Sequence, residues 1–300
     1  MKGAGFQMTI SRNNGALDGY LWKGCEQLYA PLLPHFTRSL TDNDRHGWKP
    51  EIKLAPFYHP HLKLMSVRAA KTGRGMISIR SGYSLIGGKA TVGVRYTING
   101  AGVIRVDYDF TPSDTLTGTL PNIPEVGMQC GIRRDDDHIT WYGRGPCENY
   151  VDKRYGLDAA IYSMPIMQFM EPYVMPQENG NRTDVRWMYL SDSTTGKGLL
   201  VVADSLLSMS AWPYTEAGVN AAKHTDELKG AGFITLNIDL RQMGVGGNTS
   251  WNKYAAPVEK YQIPPKHYHY GFFLYPCKQA KNQAALSEAA KNLRFNIPAP

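Results

Sequence analysis

Cysteine is scarce in this chain. Four occur in 300 residues, at Cys25, Cys130, Cys147 and Cys277, and no two form a C-x-x-C pair. That spacing excludes a zinc ribbon and a thioredoxin-like site. It also excludes a disulfide scaffold, although single bridges stay open. Long apolar runs are missing too. No stretch approaches the roughly 18 residues that cross a bilayer as a helix. The start, Met1-Lys2-Gly3-Ala4-Gly5, lacks the apolar core of a signal peptide and passes almost at once into a strand-like segment. A chain cut at a domain boundary and a naturally short start both give that picture. Concentrated basic charge is absent despite a net charge of +7. The densest cluster, Arg133-Arg134, runs straight into Asp135-Asp136-Asp137. Nucleic acid needs a patch or stripe of Lys and Arg, so neither it nor a membrane is an expected partner. There is no G-x-S-x-G elbow and no H-E-x-x-H.

Helical periodicity is nearly absent, and period-two alternation takes its place. Phe6–Ser11, Leu17–Trp22, Leu62–Ala70, Met76–Ser81, Ala90–Ile98 and Val103–Phe110 alternate apolar and polar residues. Asn13-Asn14-Gly15 and Asn99-Gly100 are turn signals between such runs. Further strands are expected at Ile139–Tyr142, Val185–Leu190, Gly198–Ala203, Phe233–Leu240 and His267–Leu274. Residues 31–60, rich in Pro and His, read as a long loop. One helix is expected, at Ala284–Leu293. Many strands without alternating helices exclude a βα barrel and predict an all-β fold, a large antiparallel β-sandwich with at most a short C-terminal helix. No linker divides the sequence, so residues 1–300 are expected to form a single domain.

On such a scaffold, chemistry belongs to loops. Four segments concentrate polar, aromatic and Gly residues. Phe36–Asp44 carries Arg38, Asp42, Asn43 and Asp44; its Asp-x-Asp spacing invites Ca²⁺, but the Gly and the distant Glu of an EF-hand are missing, and Asx turn capping with an Arg–carboxylate pair is the favoured explanation. Trp141–Tyr150 contains Gly143 and Gly145 without the third Gly or the helix of a phosphate loop, which favours a tight turn buttressed by aromatics. Pro176–Arg182 holds Glu178, Asn179 and Arg182, which either bond sugar hydroxyls or pair with one another. Gln242–Trp251 ends a Gly-rich stretch on a Trp. An indole there can stack on a pyranose or fold back onto the core. His267 and His269 share a strand face without a third metal ligand nearby.

In this order, Phe-Thr-Arg-Ser-Leu-Thr-Asp-Asn-Asp, Trp-Tyr-Gly-Arg-Gly-Pro-Cys-Glu-Asn-Tyr, Pro-Gln-Glu-Asn-Gly-Asn-Arg and Met-Gly-Val-Gly-Gly-Asn-Thr-Ser-Trp resemble the C-terminal, small-chain domain of glycoside hydrolase family 2 β-galactosidases. The resemblance spans Gly5 to Tyr275. It implies a β-supersandwich of the galactose mutarotase type. It also implies a longer parent enzyme with a sugar-binding jelly roll, immunoglobulin-like domains and a TIM barrel. In that family the two catalytic glutamates stand on the barrel, about 5–5.5 Å apart for retaining hydrolysis. Nothing here resembles the segments that carry them, so the chain is expected to hold no catalytic residue, no metal and no cofactor; Mg²⁺ or Na⁺ would belong to the barrel. The family places in this domain the Trp that completes the substrate platform, which matches Trp251, flanked by Ser250 and Asn248. Acidic residues commonly precede that Ser-Trp, and here Asn248 and Thr249 stand instead. The expected partners are a terminal β-D-galactoside, the barrel and other domains of the parent, and a homo-oligomeric copy. Arg38, Asp42, Asn43, Asp44, Glu178, Asn179 and Arg182 are expected at a rim or an interface to the barrel. The compartment, bacterial cytoplasm or periplasm, stays open. Two alternatives share the fold: a stand-alone carbohydrate-binding module, and an aldose 1-epimerase using His224 with Glu227 or Glu178.

Overall fold

In the computed structural model, residues 1–72, 75–113, 117–278 and 283–296 are described. The first strands are β1 (Lys2–Gly3), β2 (Phe6–Ile10), β3 (Leu17–Trp22), β4 (Cys25–Glu26) and β5 (Leu28–His35). Next come β6 (Lys63–Thr72), β7 (Met76–Leu85), β8 (Ala90–Ile98), β9 (Ile104–Pro112) and β10 (Glu125–Ile132). The last are β11 (His138–Gly145), β12 (Asp158–Pro165), β13 (Arg182–Ser191), β14 (Lys197–Trp212), β15 (Ile234–Gln242) and β16 (Tyr268–Lys278). All 16 join one hydrogen-bonded sheet, whose main path is β1-β2-β3-β5-β10-β15-β14-β16-β9-β8-β7-β6. From β14 a branch continues through β13 and β11 to β12.

That sheet folds over on itself, because the two ends of the path face each other across the core. Ser81 Oγ of β7 donates to the Gly15 carbonyl at 2.6 Å, and the Tyr20 hydroxyl of β3 donates to Gly102 at 2.5 Å. Phe6 packs so closely on Gly102 that a Cβ there would sit 2.8 Å from the ring. Met8, Tyr20 and Leu32 from one layer thus share a core with Val92, Val94 and Tyr96 from the other. This is the antiparallel sandwich that the alternation predicts.

Two expectations need correcting. Residues 31–60 are not one loop. Leu28–His35 forms β5 despite Pro31 and Pro34, and it pairs with β10 in an irregular register that slips between Gln129 and Gly131. Slips of that kind accommodate residues without an N–H donor. A π turn at Asp44–Trp48 and two short helical turns, Pro50–Lys53 and Ala55–Tyr58, follow. Second, the polar face that the alternation of Val103–Phe110 implies is not solvated at Arg105 and Asp107 of β9, which are buried. Arg105 bonds both Asp107 and Asp204 and lies over the Phe273 ring. That face is covered because the helix Gln283–Asn296 sets Leu286 and Ala290 into a second apolar cluster with Val103, Trp187, Leu200, Val202 and Phe273. The expected C-terminal helix is therefore present and does packing work on the outer sheet face. All four cysteines are free thiols. Among the described residues no helix is long and apolar enough to cross a membrane.

Candidate functional site

Strand direction gathers the four polar segments at one end of the sheet. His35, the last residue of β5, pairs with Gly127 near the start of β10, and Glu125 pairs with Gln242 at the end of β15. Asp239 pairs with Ser208, and Met209 with Arg182 at the start of β13. Residues 36–44, 146–154, 176–181 and 243–251 therefore leave or enter the sheet side by side. A cavity of about 160 Å³ takes lining residues from all four: Asp42 and Asn43, Tyr150 and Lys153, Gln177 and Glu178, and Val245.

Arg38 and Asp44 tie the first segment to the fourth. Their side chains form a buried ion pair at 2.9 Å. Asp44 also accepts from the Trp48 indole at 2.7 Å and from the Thr41 amide at 2.9 Å, while Arg38 donates to the Gly244 carbonyl at 3.3 Å. The Asx cap and the ion pair are thus both real, and Asp44 is unavailable to a cation. Among the described residues no group of three or more His, Cys, Asp or Glu is arranged to hold a metal ion. Asp42 is exposed and Asn43 half-buried, and the Asp42 amide donates to Gln177 of the third segment at 3.1 Å.

In the second segment the glycines serve close packing. A Cβ on Gly145 would sit 2.9 Å from both Trp141 and Tyr162. Asn149, fully buried, accepts from the Thr183 amide at 2.8 Å and hydroxyl at 2.6 Å, locking this segment to the start of β13. Glu148 accepts from Lys153 and from the Tyr173 hydroxyl, both at 2.6 Å, and from the Gly180 amide at 2.9 Å. A buried carboxylate with three donors organises the cavity wall.

Glu178 and Arg182 do not pair with each other. Glu178 accepts from the Tyr150 hydroxyl at 3.1 Å, and burial pushes its carboxyl up to about 8, opposed by the Arg38 charge. Arg182 lies over Phe169, 4.1 Å from the ring centre, and donates to the Phe169 carbonyl; burial lowers it to about 10. Asn179 is buried and braces Glu171 and Gln177. Arg38, Asp44, Asn179 and Arg182 are thus internal braces and Glu178 a buried wall of the cavity. Among the residues lining the cavity, Asp42 and Lys153 are exposed and Asn43 and Tyr173 half-buried.

Trp251 stands out of the fold with 67% of its surface exposed, so the indole does not return to the core. Its ring centre lies 6.5 Å from that of His46, in the π turn of the first segment. Gly47 makes that approach possible, because a Cβ there would come within 2.3 Å of Ala255. Ser250 and Asn248 are exposed beside Trp251. The loop is held from below: the Asn248 amide donates to Tyr254 and the Gly246 amide to Asp152, each at 2.9 Å. The arrangement is an exposed aromatic platform on a braced loop.

A His–Glu cluster escaped the sequence reading. His35 lies between Glu125 at 2.8 Å and Glu216 at 3.0 Å. Burial opposes its charge, but the bonds to Glu125 and Glu216 prevail and raise the imidazole to about 10. No local motif signals the cluster, since His35 and Glu125 are 90 residues apart. His224 and Glu227, by contrast, sit on an exposed turn where Glu227 caps the Lys223 amide. His267 and His269 are exposed and both approach Asp109.

Comparison with known proteins shows the family and the fold. A family model described as beta galactosidase small chain matches residues 2–274. The β-galactosidase of Priestia megaterium is 31% identical over 259 residues, covering 85% of this chain and 24% of the relative. That of Lactobacillus delbrueckii subsp. bulgaricus is 32% identical over 262 residues, covering 86% and 25%. The chain thus spans about a quarter of the curated relatives it matches. Among solved structures, an α-mannosidase from Enterococcus faecalis aligns with a TM-score of 0.53 at 10% identity, covering 98% of this chain and 30% of that one. An Escherichia coli protein provisionally assigned as an aldose 1-epimerase aligns with a TM-score of 0.50 at 9% identity, covering 93% and 98%. These likenesses show the fold, a galactose mutarotase-like sandwich. The ordered segments, the sandwich and the family match lead to one conclusion: the chain belongs to the beta-galactosidase small chain family.

Proposed function

We propose that this chain is one domain of a family 2 β-galactosidase, where it completes the substrate platform for a terminal β-D-galactoside and docks on the barrel that carries the catalytic glutamates. The observation that carries the reading is the convergence of four separated segments on one end of the sheet, with Trp251 exposed there. An exposed indole is costly in water and suits the apolar face of a pyranose. Ser250 and Asn248, beside it, are the polar contacts of the platform. No retaining carboxylate pair is assigned to this chain, so the isolated protein is expected not to turn over a nitrophenyl galactoside. In the complete enzyme, Trp251→Ala raises KM for that substrate. Robust turnover by the pure 300-residue chain would overturn the proposal.

One observation favours an epimerase instead: an imidazole held between two carboxylates, His35 with Glu125 and Glu216. Both ring nitrogens are bonded to these carboxylates, at 2.8 and 3.0 Å, so neither N–H is free to donate to a sugar oxygen. The galactosidase reading is therefore preferred. Polarimetry on fresh α-galactose separates the two. Acceleration that disappears in His35→Ala would establish the epimerase.

A further inference from the structure

A second cavity, of about 520 Å³, lies apart from the one lined by the four segments. The two lie on opposite sides of one turn. Tyr150 and Lys153 face the small cavity, while Val151 and Arg154 face the large one. Its far wall is the middle of β14, where the strand leaves its pairing with β13. Val185 partners Leu207 and Trp187 partners Val202, so residues 203–206 of β14 stand against residue 186 alone. The departure opens room between β13, β14 and β15 and leaves Ser205 and Leu206 exposed within a 16-residue strand. The volume lies in the usual small-molecule range of about 300–1,000 Å³.

Its lining has a definite chemistry. Arg154, Arg241 and Lys260 contribute three cations, and Asp184 the one carboxylate. Asp184 is already bridged by Arg144 at 2.5 Å and Arg154 at 3.0 Å, so it does not neutralise Arg241 or Lys260. Asp184 adopts φ 54, a left-handed conformation that the two arginines hold in place. Ser205 supplies a hydroxyl, and the half-buried Tyr261 and the exposed Leu206 supply apolar surface. A surplus of cations beside hydroxyl and ring surface selects an anion that also has a hydroxylated ring.

We propose that this cavity binds an anionic saccharide, a sugar bearing a carboxylate or a phosphate, at a site separate from the Trp251 platform. The proposal stands whether or not the galactosidase reading does, because it uses none of the same residues. Isothermal titration of the 300-residue chain tests it with galacturonate, galactose 6-phosphate, galactose and inorganic phosphate. At least one of the two anionic sugars binds, and which one identifies the group recognised. Neutral galactose and free phosphate bind at least about tenfold more weakly. The double variant Arg241→Ala/Lys260→Ala alters exposed side chains, keeps the melting temperature and loses binding by about tenfold or more. Trp251→Ala binds as the unaltered chain does. Four outcomes overturn the proposal: neither anionic sugar binds, free phosphate binds as tightly as the sugar, the double variant binds unchanged, or Trp251→Ala abolishes binding.

Discussion

Removing the Asp44 carboxylate tests whether the site is held by one buried ion pair. Asp44 is fully buried, and its partner Arg38 is only 2% exposed. In Asp44→Ala the guanidinium stays buried without its counter-charge, and the Trp48 indole and Thr41 amide lose their acceptor. Breaking one side of a buried pair costs about 3–5 kcal/mol, and a lost turn cap about 1 kcal/mol, with incomplete additivity. A loss of about 4 kcal/mol is a large part of the roughly 5–15 kcal/mol that stabilises a domain. At this size it lowers the melting temperature by about 8 °C or more. The assay is a thermal melt followed by circular dichroism, with Arg38→Met/Asp44→Leu as the control. Replacing both charges by apolar side chains removes the unpaired cation, so the double variant melts above Asp44→Ala. A loss below about 1 kcal/mol in the single variant, or a double variant less stable than it, would refute the reasoning.

Trp251→Ala changes stability by no more than about 0.5 kcal/mol, because the side chain is largely exposed, and a melt of the chain checks this. In the complete enzyme the same change raises KM by about tenfold, or about 1.4 kcal/mol of lost stacking, measured on a nitrophenyl galactoside. Glu178 is raised from 4.5 to about 8, so the folded state holds its proton more tightly than the unfolded chain between those values. Stability therefore falls as pH rises through that window. His35, raised from 6.5 to about 10, adds a contribution present below 6.5 and lost on approaching 10. Glu178→Gln removes the first effect, and denaturant titrations at pH 5 and 8 should show a decline smaller by about 2–4 kcal/mol. Gly47→Val sets a branched side chain where Cβ alone comes within 2.3 Å of Ala255, and costs about 1–3 kcal/mol. Limited proteolysis within residues 244–256 reads the loosened loop.

Alternation located β2, β3 and β8 closely, because each has one face on the core and a more accessible face opposite; β9 alternates in sequence although most of both its faces is buried. It missed β10, which is buried on both faces and shows no period, and it missed β12, a largely exposed edge strand. It underread β14, whose second half regains its pairing only after the departure at residues 203–206. The prolines of β5 argued for a loop and were overruled by pairing with β10. Asn99-Gly100 does turn between β8 and β9, but through Asn99, whose side chain accepts the Ala101 and Val103 amides, and through Gly102 at φ 85.

The order of residues alone determined that this is a sandwich and that four polar segments matter, because period-two patterning and motif order are local properties. Folding decided what those segments do. Arg38 with Asp44, and Arg182 over Phe169, look like candidate contacts in the sequence and are interior braces in the structure. Nothing local distinguishes a buried charge from an exposed one, since burial depends on chain hundreds of residues away. The His35 cluster and the cationic cavity behind Arg154 have no motif at all, because their members meet only when β5, β10, β13, β14 and β15 are brought together. Trp251 was picked out from its place after a Gly-rich run. Its exposure was decided only by the fold, in which the chain around Ala255 packs on Gly47 of the π turn while the indole stays outside.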